Sequence, residues 1–104
     1  MDETTASESI TIKLQTILYL KRLVGAPEIE ISVQRGCTLQ GFLEKLVNVR
    51  GDELASHLFK PNNTEILPHL RLMINGRDIA FLDGIKTELQ DGDEVLILPP
   101  VSGG

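Results

Sequence analysis

Cysteine occurs once, tryptophan not at all, and the aromatic residues amount to one tyrosine and three phenylalanines. The lone Cys37 excludes an internal disulfide framework, and a single thiol fits a reducing compartment. With aromatics at 4% of the chain, the core has to be built from aliphatic side chains. Basic residues are also in deficit. Ten Lys and Arg stand against fifteen Asp and Glu, a net charge of −5. A nucleic-acid binder needs a basic face to neutralise phosphates, so that class is disfavoured. Docking on an anionic membrane surface is disfavoured for the same reason. No apolar run approaches the roughly 20 residues of a membrane-spanning helix. Residues 1–9, MDETTASES, lack the basic start and apolar stretch of a signal peptide. These absences point to the cytoplasm.

Most catalytic signatures are missing as well. There is no Gly-x-Gly-x-x-Gly, no Walker phosphate loop, no Cys-x-x-Cys and no His-x-x-x-His. His57, His69 and Cys37 do not have the spacing of a zinc site, so the histidines read as structural or solvated and no metal is expected. Cys37 precedes a helix start, a place that can lower a thiol pKa. A small buried cysteine remains the plainer reading. Asp91, Asp93 and Glu94 lack the rest of a calcium loop and read as a turn with solvated carboxylates.

What is present is enough for one domain. The chain has 104 residues, 41% hydrophobic and 24% charged. At this size roughly two-thirds of the unfolded surface is buried on folding, so one modest core is feasible. Residues 1–9 read as a disordered leader, with nothing to bury. Residues 10–98 read as the folded body and 99–104 as an extended tail.

The body alternates between two periods. Ile10, Ile12, Leu14, Thr16 and Leu18 share one face at period two, which predicts a half-buried strand. Residues 23–27 read as a loop ending at Pro27. Ile29, Ile31 and Val33 predict a second strand, antiparallel to the first. Leu39, Phe42, Leu43, Leu46 and Val47 then follow helical spacing, with Thr38 as N-cap and Gly51 as the stop. Gly41 in its first turn weakens this helix. Leu54, Leu58 and Phe59 suggest a shorter helix, and 60–69 a loop. Leu70, Leu72 and Ile74 alternate before Asn75-Gly76, a strong hairpin signal with Ile79–Leu82 as the return strand. Asp91-Gly92-Asp93 is another turn. Residues 95–98 are continuously apolar and read as a strand buried on both faces. The order β-β-α-(α)-β-β-β predicts an α+β fold, a mixed sheet of four to five strands with one main helix across one face. If the last strand pairs beside the first, it is the ubiquitin-like β-grasp.

The C-terminus carries the chemistry. Pro99-Pro100-Val101-Ser102-Gly103-Gly104 follows directly on the last strand. Two prolines favour an extended backbone. A diglycine with no Cβ atoms can enter a channel that any side chain would obstruct. It ends in a carboxylate, ionised at neutral pH with an ordinary pKa of about 3.5.

These residues resemble the ubiquitin-like sulfur carriers, nearest to the small subunit of molybdopterin synthase in its archaeal-type branch, with the thiamine-pathway carrier a more distant cousin. The matching motifs are Tyr19-Leu20-Lys21-Arg22-Leu23-Val24-Gly25, Asn75-Gly76-Arg77, Leu89-Gln90-Asp91-Gly92-Asp93-Glu94-Val95 and the Pro99–Gly104 tail. The resemblance implies a non-catalytic carrier. A ubiquitin-activating-type adenylating enzyme, using ATP and magnesium, would convert the Gly104 carboxylate to an acyl-adenylate. A persulfide sulfur donor would then convert that to a thiocarboxylate. Gly103, Ser102, Val101, Pro100 and Pro99 would position the tail. The large subunit of molybdopterin synthase would receive the sulfur for the molybdenum or tungsten pterin and supply the acid–base residues. No cofactor is expected to be bound permanently.

Ile17 and Leu98 occupy positions where relatives often carry exposed aromatics that contact partners; here they are either such contacts or core residues. The first-strand ending Ile17-Leu18 and the longer segment between Arg50 and His69 depart from the bacterial small subunits. They bear on the exact pathway and not on the carrier role. Three rivals stand beside it: a protein modifier forming isopeptide bonds through the diglycine, a carrier for another thiolated product, and a plain β-grasp binding module.

Overall fold

The fold is described from a computed structural model, which covers residues 9–17, 19–60, 65–68 and 70–98. The leader up to Glu8, Leu18, His69 and the tail from Pro99 to Gly104 lie outside the described residues. The alternation from Ile10 forms the strand it predicts. β1 spans Ser9–Thr16 and buries Ile10, Ile12, Leu14 and Thr16 on one face. β2, Glu28–Gln34, pairs antiparallel with it, Ile12 opposite Ile31 and Ile10 opposite Val33.

Their connection differs from the expected loop. Tyr19–Val24 forms a helix, α1, with Leu20 and Val24 fully buried. Six residues make fewer than two turns, too few for a helical period to be read. Gly25 closes it at φ +98°, its N–H donating to the Lys21 carbonyl at 2.9 Å. Left-handed backbone of this kind favours glycine.

The main helix, α2, spans Leu39–Arg50 and buries Leu39, Phe42, Leu43 and Leu46. The Thr38 hydroxyl caps it by accepting from the Gly41 N–H at 3.3 Å. Gly41 has a packing reason to be there: a Cβ would lie 3.1 Å from the Cys37 sulfur. Gly51 stops the helix, and α3, Asp52–Leu58, follows at once with Leu54, Ala55 and Leu58 buried.

β3, Arg71–Ile74, leads into a two-residue turn in which Asn75 and Gly76 both have positive φ, +53° and +82°. Both residues tolerate that backbone, which matches the twist of paired strands. The return strand is not Ile79–Leu82. It is β4, Arg77–Asp78, pairing immediately after the turn. The Asp78 carboxylate then accepts from the Ala80 N–H at 2.8 Å and turns Ile79–Phe81 into a 3₁₀ segment. A second 3₁₀ turn, Gly84–Lys86, precedes β5, Glu94–Leu98.

The five strands lie in the order β2-β1-β5-β3-β4. β5 runs parallel to β1, with Leu14 opposite Val95 and Thr16 opposite Ile97, and antiparallel to β3. The last strand therefore sits beside the first, and the fold is the ubiquitin-like β-grasp. Phe42, Leu43 and Leu46 of α2, Leu54 and Leu58 of α3 and Leu20 of α1 join Ile12, Leu14, Leu72, Val95 and Ile97 of the sheet in one aliphatic cluster. β5 is buried on one face only: Val95 and Ile97 are in the core, whereas Leu96 and Leu98 are half-buried on the other side. The core lies on a single face of the sheet, so alternate residues of its central strand face outward. Among the described residues no helix is long and apolar enough to cross a membrane.

Candidate functional site

The described chain ends at Leu98, in the middle strand of the sheet. Residues 99–104, which carry the expected tail and Gly104, lie beyond it. The site is therefore the root of the tail and the surface around it.

The outward-facing residues there form cross-strand rows. Leu98 is opposite Arg71 of β3. On its other side β1 ends at Thr16, opposite Ile97, and Ile17 is the next residue. Ile17 is 41% exposed. Neither Ile17 nor Leu98 belongs to the core, so the buried alternative for this pair falls. The next row is Gln15, Leu96 and Met73. Met73 and Leu96 were not singled out from the sequence. Leu96 carries a signal, because it shares parity with Leu98. Met73 joins it only through the β3–β5 register. One row further, Lys13 lies 3.5 Å from Glu28 and 3.9 Å from Glu94. The open face thus grades from apolar at the tail root to charged at the opposite end. These exposed ion pairs add little to stability.

Three contacts flank the root. Thr16, almost wholly buried, donates its hydroxyl to the Ala26 carbonyl at 3.4 Å, and its N–H to the Pro27 carbonyl at 3.0 Å. On the other flank, Arg71 Nε lies 3.5 Å from Asp78 Oδ2.

The acidic segment is a turn, as its composition suggests, but its two aspartates are not simply solvated. Asp91 Oδ1 accepts from the Thr11 N–H at 2.8 Å. Asp93 accepts from the Asn75 amide through Oδ1 and from the Gln90 N–H through Oδ2, both at 2.8 Å. Among the described residues no group of three or more His, Cys, Asp or Glu side chains could hold a metal ion. His57 is half-buried on α3.

Cys37 is half-buried beside Gly41, its thiol donating to the Thr38 carbonyl at 3.3 Å. Burial pushes the thiol pKa up; Lys45 pulls it down and Glu44 raises it, both by less. A thiol held protonated is poorly suited to nucleophilic attack. This favours the packing reading over the reactive one.

Residues 18–104 match the ThiS family. Small archaeal modifier protein 3 of Haloferax volcanii is 34% identical over 93 residues, covering 89% of this chain and 98% of the relative. Sulfur carrier protein CysO of Mycobacterium tuberculosis is 31% identical over 98 residues, covering 92% and 99% respectively. The solution structure of small archaeal modifier protein 1 from Methanosarcina acetivorans superposes with a TM-score of 0.79 at 29% identity, over 92% of this chain and 98% of that one.

Proposed function

We propose, from the premise that this chain belongs to the ThiS family, that it is a sulfur carrier whose Gly104 carboxylate is converted to a thiocarboxylate. The observation that carries this reading is where β5 sits. It is the central strand of the sheet, it ends at Leu98, and Pro99-Pro100-Val101-Ser102-Gly103-Gly104 follow it directly in sequence. A firm root matters because a loose one would misplace the reacting carbon in another protein's active site.

The chemistry takes place on partners. The carboxylate oxygen of Gly104 attacks the α-phosphorus of ATP on an adenylating enzyme, where magnesium neutralises the phosphates and pyrophosphate leaves. The acyl-adenylate is activated because AMP is a good leaving group. A persulfide sulfur attacks the acyl carbon, AMP departs, and a second thiol cleaves the resulting acyl disulfide. The products are the thiocarboxylate and a new disulfide. The carrier itself supplies no acid or base; it supplies the electrophilic carbon and holds the tail. Pro99 and Pro100 extend the tail, Val101 and Ser102 span the channel, and Gly103 fits where a Cβ would not. Ile17, Leu96, Leu98 and Met73 form the surface that partner enzymes contact. On this reading the carrier works in the cytoplasm and delivers sulfur for the molybdenum or tungsten pterin through the large synthase subunit.

A second reading has its own support. A relative 34% identical is named a modifier protein, and the same adenylate can be passed to a lysine amine. The likeness to CysO keeps a different sulfur acceptor open in the same way.

One experiment separates them. The chain is incubated with an adenylating enzyme, ATP and a persulfide donor, and its isolated C-terminal peptide is weighed. Oxygen-for-sulfur exchange on the peptide ending at Gly104 is the expected result. The peptide is isolated because oxidation of Cys37, Met1 or Met73 adds nearly the same mass. An unchanged carboxylate, with Gly104 instead recovered on lysines of other proteins, would replace the carrier reading with the modifier one.

A further inference from the structure

Resting on the carrier reading above, we infer that Arg71, set in place by Asp78, is a positioning residue for activation. Its guanidinium pairs with a carboxylate at the mouth of the adenylating enzyme's channel.

Four observations carry this. First, Arg71 is the cross-strand partner of Leu98, the residue from which the tail departs. Its side chain lies on the same outward face as Leu96, Leu98 and Met73, because Leu72 and Ile74 occupy the core face of β3. Second, the pair with Asp78 is asymmetric. Asp78 is the sunken partner, its side chain 28% exposed against 67% for Arg71. Its Oδ1 is tied to the Ala80 N–H at 2.8 Å, so the carboxylate has a fixed position. Its Oδ2 meets Arg71 through Nε at 3.5 Å, a long contact that engages one edge of the guanidinium. Arginine has five donors in a planar fork, and most of that fork faces solvent beside the tail root.

Third, the outward face around Arg71 is apolar, since Leu98, Leu96 and Met73 share it. A partner carboxylate reaching Arg71 would bring apolar surface over these side chains. Partial exclusion of water makes such a pair stronger than one on open surface. Fourth, the chain as a whole carries a net charge of −5, so an exposed cation at the tail root acts as an orientation signal for a partner carboxylate. Lys13, on the same face, is at the far end and engaged with Glu28 and Glu94.

Arg71 does not reach the reaction. It belongs to β3, whereas the reacting carboxylate belongs to Gly104, six residues beyond Leu98 in sequence. The residue therefore governs how the carrier docks and not the chemical step.

The test is steady-state adenylation of the full-length chain by its adenylating enzyme, read as ATP–pyrophosphate exchange over a range of carrier concentrations. Arg71→Glu is expected to raise KM for the carrier on the order of 10-fold or more. Its KM should rise by a clearly larger factor than its kcat falls, a split that a merely loosened root would not give. Arg71→Lys, which keeps the charge but loses the fork, should fall between the two. Asp78→Asn should raise KM by less than Arg71→Glu. Added salt should raise the wild-type KM and leave that of Arg71→Glu nearly flat. An unaltered KM in Arg71→Glu, with normal exchange in the wild type, would overturn this inference alone. Absence of exchange in the wild type with every activating enzyme tried would overturn the carrier reading and this inference together.

Discussion

The two ends of the sheet are built differently. At the turn end, side chains tie neighbouring strands to one another. Asn75 donates to Asp93 and its Oδ1 accepts from the Glu94 N–H at 3.0 Å, Asp91 holds the Thr11 N–H, and the Gly92 N–H reaches the Thr11 carbonyl at 2.9 Å. At the tail end the outward residues are Ile17, Leu98 and Arg71, and the contacts that hold the root are those of Thr16 and Asp78. The difference teaches how one small domain divides two tasks. Polar ties at the closed end pin the register of β1, β3 and β5, and rigid strands carry that register to the open end. The open end is then free to present Ile17, Leu98 and the Arg71 guanidinium on its outward face.

The sharpest test of this division removes Gly104. Activation should be abolished while the unfolding midpoint stays at the wild-type value, since among the described residues the last fully buried one is Ile97. Normal ATP–pyrophosphate exchange in the truncated chain would show that the open end is not where reaction occurs. Next in size is Leu46→Ala. Leu46 is wholly buried in the cluster beneath both ends, so the loss should be about 2–5 kcal/mol in denaturant unfolding. Amide exchange should then accelerate at both ends alike. If the ends respond unequally, they are not one cooperative body.

Asn75→Ala targets the closed end alone. It removes two side-chain hydrogen bonds and forces alanine to φ near +53°, for a total of about 1–2 kcal/mol. Exchange should quicken first at Glu94 and Gln90, and KM for activation should hold. A raised KM would mean that the turn end transmits its register to the tail root more directly than proposed. Gly41→Ala has a smaller expected effect on stability. A helix-favouring residue gains about 1 kcal/mol, but its Cβ meets the Cys37 sulfur at 3.1 Å. The gain should appear only when Cys37→Ala removes that sulfur, a result that a double-mutant cycle reads directly.

Titration of Cys37 gives a smaller signal still. Its folded pKa is raised, so its contribution to stability is full below the unfolded thiol pKa and is lost as pH rises through the folded one. Alkylation of the native chain near neutral pH should accordingly be slower than that of an unfolded one. Equal rates would reopen the reactive reading.

Much of this was legible in the chain and some was not, for particular reasons. Period-two alternation marked Ile10, Ile12 and Leu14, and helical spacing marked Leu39, Phe42, Leu43 and Leu46, because each pattern reports which side chains a single element can bury. Thr38, Gly51 and Asn75-Gly76 were readable because caps and turns are local chemistry. α1 escaped because six residues leave no period to detect. The return strand was misplaced because Asp78 ends β4 after two residues through its own hydrogen bond to Ala80. β5 read as buried on both faces because an apolar run does not say how many faces are covered.

By itself the sequence determined the longer elements, the aliphatic core and the diglycine motif, since these follow from residue type and spacing along one strand or helix. Tertiary structure decided that β5 lies between β1 and β3, and therefore that Ile17, Leu98 and Arg71 share one face at the tail root. That grouping depends on strand pairing over long sequence separations. No local pattern encodes such pairing; it is set when a single core face has to be shared among strands from both ends of the chain.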